Sequence, residues 1–204
     1  MKIYVIGDSI SINYGHWLET ALAGTGVEYS RKLSSDDTLD GDANGGDSSK
    51  VLAYLNMRAV ALPIEADVLL VNCGLHDIKA DLSSGEHQVD IESYRRNLEG
   101  IASVVTETMG KKMVWIRTTP CDDAIHNRPG IPFRRTLADV VEYNRVADVC
   151  MAARGIPEID LFTFTKNCGT PAEIYFDHIH FKEATCRAQG AFIAGWLDAW
   201  KRSR

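Results

Sequence analysis

The stretch KIYVIGDSI, residues 2–10, contains a short apolar run followed by a turn signal. Branched apolar residues such as Ile3, Val5 and Ile6 favour a β-strand. The glycine at position 7 and the acidic residue after it are typical of a turn. Ser9 is therefore expected where the first strand gives way to a helix. A strand, a tight turn and a helix together predict the start of a βαβ unit.

The rest of the chain repeats this alternation of short apolar runs and longer amphipathic segments. Strands that alternate with helices imply right-handed crossovers and a parallel sheet. We predict one α/β domain over residues 1–204, with three α/β/α layers and a five-stranded sheet in the flavodoxin-like order 2-1-3-4-5. The predicted strands are 2–6, 27–33, 67–72, 112–117 and 157–160, and the predicted helices are 14–23, 48–60, 91–109, 136–154 and 181–200.

Composition narrows the classes of protein. The chain has 204 residues, 45% of them hydrophobic, and a net charge of -6, so nucleic acid is disfavoured as a partner. No apolar run approaches a membrane span, and the amino-terminal run is too short for a signal peptide, so we expect a cytoplasmic protein without a membrane partner. The oligomeric state stays open. Reduced thiols are expected at Cys73, Cys121, Cys150, Cys168 and Cys186.

Four long segments follow the predicted strands, over residues 34–47, 74–90, 118–135 and 161–180. Long loops in compact domains are usually functional. Because parallel strands all end at the same edge, these segments are expected to gather there. This is the edge at which open α/β sheets bind ligands.

The first and last of the polar motifs are Gly7-Asp8-Ser9-Ile10 and Asp177-His178-Ile179-His180. A serine at a strand-to-helix turn is a candidate nucleophile. A carboxylate three residues before a histidine can fix the tautomer of its ring, which leaves the other nitrogen free to accept a proton. Each motif also has a simpler interpretation as helix-capping residues and surface histidines.

Two further motifs lie between them, Gly45-Gly46-Asp47-Ser48 and Gly74-Leu75-His76-Asp77. Alone, they indicate turn glycines and a capping aspartate. The strand order 2-1-3, however, makes the segments after these strands neighbours of the segment that carries Ser9. The long segment after the fifth strand can bring His180 back over the same edge.

Taken together, the four motifs resemble those of the SGNH/GDSL hydrolase family of esterases and lipases. They occur in the family's order and span almost the whole chain. The resemblance implies a triad of Ser9, His180 and Asp177 that cleaves an ester through an acyl-enzyme, without a metal or organic cofactor. It also implies an oxyanion hole built from the backbone N–H groups of Ser9 and Gly46 and the side chain of His76.

His76 departs from the family pattern, which has an asparagine at this position. A neutral imidazole can also donate one hydrogen bond, provided that its other nitrogen is suitably held. The departure therefore places the third oxyanion donor in question without excluding activity.

The segment 118–135 is unusually polar for a lid over a lipid. It favours a small or polar acyl ester, such as an acetylated carbohydrate, although a solvated loop is the simpler interpretation. The candidate substrate contacts are Asp8, His126, Asn127 and Arg134.

Three rival functions remain open at this point. A non-catalytic binding module could use the same fold, with His76 as a sign of decay. A metal enzyme could use His76, Asp177, His178 and His180, although no helical HExxH spacing is present. An acyltransferase could use the same triad on a different acceptor.

Overall fold

The computed structural model describes residues 1–203 and contains a parallel five-stranded sheet in the order β2-β1-β3-β4-β5. The predicted fold class and strand order are confirmed. The central strands are covered on both faces, so they read as continuous apolar runs. The strands are β1 (Lys2–Ile6), β2 (Glu28–Arg31), β3 (Val68–Val71), β4 (Lys112–Ile116) and β5 (Glu158–Ile159).

Helices flank the sheet in two layers. The first helix packs against the last, whereas the third packs against both the second and the fifth in a separate group. The helices are α1 (Ser9–Leu22), α2 (Ser48–Val60), α3 (Ile91–Ser103), α4 (Asp123–His126), α5 (Leu137–Ala152), α6 (Leu161–Lys166), α7 (Pro171–Ile174) and α8 (Glu183–Arg202).

Helix α1 begins five residues before the predicted start at residue 14, directly at Ser9. Residues 9–13 include two isoleucines and two serines, which have only moderate helix propensity. The cap overrides that propensity, because Asp8 Oδ1 accepts a hydrogen bond from Ile10 N at 2.9 Å. Ile10 is also buried in the core, so tertiary packing stabilises this first turn.

The segments predicted as loops contain short helices. Helix α4 lies within 118–135, and α6 and α7 lie within 161–180. Helix α7 has local signals of its own, with Pro171 in its first turn and a capping box between Thr170 and Glu173. The predicted helix 91–109 also changes character, because its last part, Val104–Thr108, is a π-helical turn.

The core lies on both faces of the central strands. Trp115 of β4 is its largest fully buried side chain, and the four residues of β3 are all buried. Within residues 1–203, no helix combines the length and the apolar character needed to cross a bilayer.

Backbone contacts draw the segments after the first three strands together. Gly45 N donates to Gly7 O at 2.9 Å. The carboxylate of Asp77, which is 0% exposed, accepts from Ser48 N through Oδ1 at 2.9 Å and through Oδ2 at 3.1 Å. Burial raises the pKa of Asp77 to about 7 despite these hydrogen bonds. Asp77 therefore ties the start of α2 to the segment that follows β3.

We expect Asp77→Ala to lower the free energy of unfolding by about 1–3 kcal/mol, because it leaves the buried Ser48 N–H without an acceptor. Asp77→Asn should cost less, since an amide oxygen can still accept that bond. Urea denaturation of the two variants measures both effects. An Asp77→Ala protein as stable as the wild type would contradict the anchoring role.

Candidate active site

Ser9 lies at the first position of α1, and only Gly7 and Asp8 separate it from the end of β1. The capping role that the sequence left open for Asp8 and Ser9 belongs to Asp8 alone. The Ser9 hydroxyl is directed elsewhere, because its Oγ lies 2.8 Å from His180 Nε2. These two residues are 171 positions apart in the chain.

Asp177 and His180 form a closed turn just before α8. Asp177 Oδ1 accepts from Ile179 N at 2.8 Å and from His180 N at 2.7 Å. Asp177 Oδ2 lies 2.7 Å from His180 Nδ1. The carboxylate can only accept at this contact, so Nδ1 carries the proton and Nε2 is left as an acceptor for the Ser9 hydroxyl.

The charge on Asp177 is stabilised by this turn. Partial burial raises its pKa, but the hydrogen bonds from the His180 ring and from the two backbone N–H groups outweigh burial and bring the pKa to about 2. Asp177 is therefore ionised throughout the neutral range, as a group that orients an imidazole must be.

Gly46 is the residue predicted to supply a backbone oxyanion donor from the segment after β2. Its φ is +72°, a left-handed conformation that favours glycine. Its N–H already donates to Asn44 Oδ1 at 2.8 Å. A bound oxyanion would have to share or replace this acceptor, a feature that the motif itself does not indicate.

His76 lies in the segment after β3, which the backbone of Gly74 brings close to Thr118. Gly74 has a φ of +144°, and a Cβ at this position would collide with Thr118 Oγ1. Burial lowers the pKa of His76 to about 4; the positive charges of Lys79 and Arg135 act in the same direction. The ring is consequently neutral at pH 7 and carries one N–H donor.

The four predicted substrate contacts fall into two pairs. Asp8 and His126 are buried, and the His126 ring lies with its Nδ1 3.0 Å from His178 Nδ1. Asn127 and Arg134 are exposed and line one cavity of about 410 Å³. The Asn127 side chain also bonds to the backbone of Arg135, so it stabilises the segment as well.

Sequence reasoning missed three basic residues that hold the site's segments. Lys32 is 1% exposed, forms a 2.8 Å ion pair with Asp37 and donates to the Asp42 carbonyl in the segment that leads to Gly46. Arg135 is buried and donates to the backbone oxygen of Leu75, next to His76. The third is Lys79, which contacts the His76 ring. Basic residues are mostly exposed, so one sequence carries no signal that marks these as buried.

The residues considered for a metal centre do not converge. His178 is paired with His126, and His180 with Asp177 and Ser9, whereas the His76 ring contacts Lys79. Among residues 1–203, no group of three or more His, Cys, Asp or Glu side chains is arranged to hold a metal ion.

Sequence comparison adds no relative, since no family model and no curated protein matches the chain. Solved structures do match over nearly its whole length. A lipase/acylhydrolase from Enterococcus faecalis has a TM-score of 0.73 at 20% identity, covering 98% of this chain and 96% of that chain. A GDSL-like lipase from Bacteroides thetaiotaomicron has a TM-score of 0.69 at 12% identity, with coverages of 98% and 88%.

A carbohydrate acetylesterase from Sinorhizobium meliloti is also similar, with a TM-score of 0.63 at 16% identity and coverages of 98% and 99%. At these identities the likeness concerns the fold. It agrees with the resemblance drawn from the four sequence motifs, and the chain therefore has the SGNH/GDSL hydrolase fold.

Proposed function

We propose that this protein is a serine esterase that hydrolyses small or polar acyl esters. The observation that carries the proposal is the continuous chain of hydrogen bonds from Ser9 Oγ to His180 Nε2, at 2.8 Å, and from His180 Nδ1 to Asp177, at 2.7 Å. A nucleophile, a base and a group that orients the base within hydrogen-bond reach are the parts that acyl transfer requires.

In the proposed reaction, Ser9 Oγ attacks the ester carbonyl carbon while its proton passes to His180 Nε2. The tetrahedral intermediate collapses as His180 returns this proton to the leaving alkoxide, which departs as an alcohol. Water then attacks the acyl-enzyme by the same route and releases the acid. Asp177 stabilises the imidazolium formed in each half-reaction. The mechanism uses no metal or organic cofactor.

The negative oxygen of the intermediate needs donors that are in place beforehand. We assign this role to the backbone N–H groups of Ser9 and Gly46 and to the ring N–H of His76. The Gly46 N–H is held by Asn44 in the free enzyme. His76 supplies a neutral donor, because its lowered pKa of about 4 keeps a single proton on the ring at pH 7.

The substrate class follows from the polar character of the segment 118–135. Its exposed residues Asn127 and Arg134 carry hydrogen-bonding groups that suit a polar substrate, and the cavity of about 410 Å³ that they line is separate from the triad residues. One similar structure is a carbohydrate acetylesterase, which agrees with an acetylated sugar as substrate. An added alcohol distinguishes hydrolysis from acyl transfer, because a hydrolase releases the free acid whereas an acyltransferase forms a new ester with the alcohol.

A fluorophosphonate probe should label the wild-type protein and fail to label Ser9→Ala, since only an activated serine reacts. Ser11→Ala is the matched control, because this neighbouring hydroxyl donates to Asp8 O and has no contact with His180. Labelling is read by intact-protein mass spectrometry. A folded wild-type protein that takes up no probe would favour a binding module instead.

Nitrophenyl acetate or butyrate should be cleaved faster than the laurate or palmitate ester, because the polar segment provides no long apolar channel. Initial rates at matched concentrations decide this, with acetylated sugars included in the panel. A clear preference for the long chains would reject the polar-substrate assignment.

His76→Ala should lower kcat about a hundred- to thousandfold, the usual effect of removing one oxyanion donor. His76→Asn should recover part of the loss, because an amide N–H can donate from a similar place. NMR should show no titration of the wild-type His76 ring between pH 8 and about pH 5, given its pKa of about 4. The urea-unfolded chain is the reference, where histidine titrates near pH 6.5. A His76→Ala enzyme with nearly wild-type kcat would leave only the two backbone donors in this role.

A further inference from the structure

Lys79, which belongs to none of the four motifs, lies against the ring of His76. Its Nζ is 3.1 Å from His76 Nδ1, and its backbone N donates to His76 O at 3.3 Å. The backbone oxygen of Lys79 accepts from Gln88 N at 2.7 Å, which fixes the main chain at this position. Lys79 is therefore held three residues beyond His76 in this turn, with its charged end at one particular ring nitrogen.

The surroundings of Lys79 are unusual for a lysine. Its side chain is half-buried, and its Nζ lies 5.1 Å from the centre of the Phe133 ring. The same ring faces the Arg135 guanidinium, at 4.8 Å. Among residues 1–203, Lys79 forms no ion pair, and His76 Nδ1 is the one side-chain hydrogen-bond partner of its ammonium. Partial burial of this ammonium group costs desolvation free energy. The hydrogen bond that its side chain forms in return is to the His76 ring and not to a carboxylate.

The chemistry of this contact fixes the ring's proton. An ammonium group has donors only, so His76 Nδ1 must accept and cannot itself carry the proton. A neutral imidazole then has its single proton on Nε2. Within residues 1–203, the only hydrogen bond of the His76 ring is the one to Lys79, so Nε2–H remains available to a ligand.

We propose that Lys79 is a positioning residue that holds His76 in the Nε2–H tautomer, so that this histidine can replace the oxyanion donor usually supplied by asparagine. The inference rests on the proposed esterase function. An asparagine amide always has N–H groups to donate, whereas an imidazole does so at a given nitrogen only in the right tautomer. The change to histidine therefore requires a partner, and Lys79 supplies it.

The charges around the pair act consistently with this role. Burial lowers the pKa of His76, and the positive charges of Lys79 and Arg135 lower it further. The negative charges of Asp8 and Asp47 act in the opposite direction. Burial also lowers the pKa of Lys79, and the positive charges of Arg135 and Lys50 act in the same direction. The charges of Asp47 and Asp77 raise this pKa. Lys79 thus opposes a second proton on the ring in addition to directing the first.

The tautomer can be read directly by long-range 15N–1H NMR of the histidine rings, with the His76 signals identified by their loss in His76→Asn. The wild type should carry the proton on Nε2. In Lys79→Met, which keeps the length of the side chain but removes its donors, the Nδ1–H form should appear. A wild-type proton on Nδ1, or an unchanged Nε2–H form in Lys79→Met, would overturn the proposal.

Kinetics test the consequence for catalysis. Lys79→Met should lower kcat about ten- to hundredfold, less than loss of the His76 ring itself, with KM changed by less than about twofold. Lys79→Arg should restore most of the activity, because a guanidinium can also donate to Nδ1. In the His76→Asn background, the Lys79→Met change should cost less than about threefold, since no tautomer is left to control.

An equal loss of kcat from Lys79→Met in the two backgrounds would show that Lys79 acts structurally, and would overturn the proposal even if all variants fold. Failure of the esterase assignment looks different. In that case Ser9 takes up no fluorophosphonate in any variant, whereas failure of the Lys79 proposal leaves Ser9 labelling intact.

Discussion

The carboxylate of Asp77 is the contact on which the arrangement of the site depends. It accepts hydrogen bonds from Ser48 N at the start of α2, and Asp77 follows His76 directly in the chain. Two further bonds join these segments, because Gln88 Nε2 of the segment after β3 donates to Asp47 Oδ2 at 2.6 Å, and Gly45 N donates to Gly7 O at 2.9 Å. Asp77, a structural residue, thus helps to hold together the segments of Gly46 and His76, which are two parts of the proposed oxyanion hole. It is fully buried, so neither solvent nor substrate competes for it.

The sheet order determines which segments can meet. Because β1 lies between β2 and β3, the residue that follows it has neighbours on both sides. Ser9 takes that position, with Gly46 beyond one neighbour and His76 beyond the other. His180 comes from the far end of the chain, where Tyr175 anchors the segment before α8 by donating from its hydroxyl to Pro120 O at 2.9 Å. Ser9 therefore lies at the start of α1, next to the edge of the sheet, whereas His180 belongs to the segment before α8.

Much of this could be predicted from sequence, because it depends on local patterns. Apolar runs and their spacing predict the five strands and their order, and the four motifs predict which residues approach Ser9. The missed features depend on contacts between distant residues. Lys32, Arg135 and Lys79 are buried or half-buried basic groups whose partners are mostly backbone oxygens or a ring nitrogen. Helix α7 is a different case, because its proline and capping box were visible in the sequence.

The closed turn of Asp177 and His180 has a mechanical consequence. Three hydrogen bonds within four consecutive residues hold Asp177 and His180 together as one unit. The orientation of the imidazole relative to the carboxylate is therefore set within this turn and does not depend on contacts with other segments. The contact from His180 Nε2 to Ser9 Oγ, in contrast, joins residues from opposite ends of the chain. That contact spans the segment before α8 and the start of α1, two helices that pack against each other, so the packing of α8 on α1 also supports the proposed pairing of Ser9 with His180.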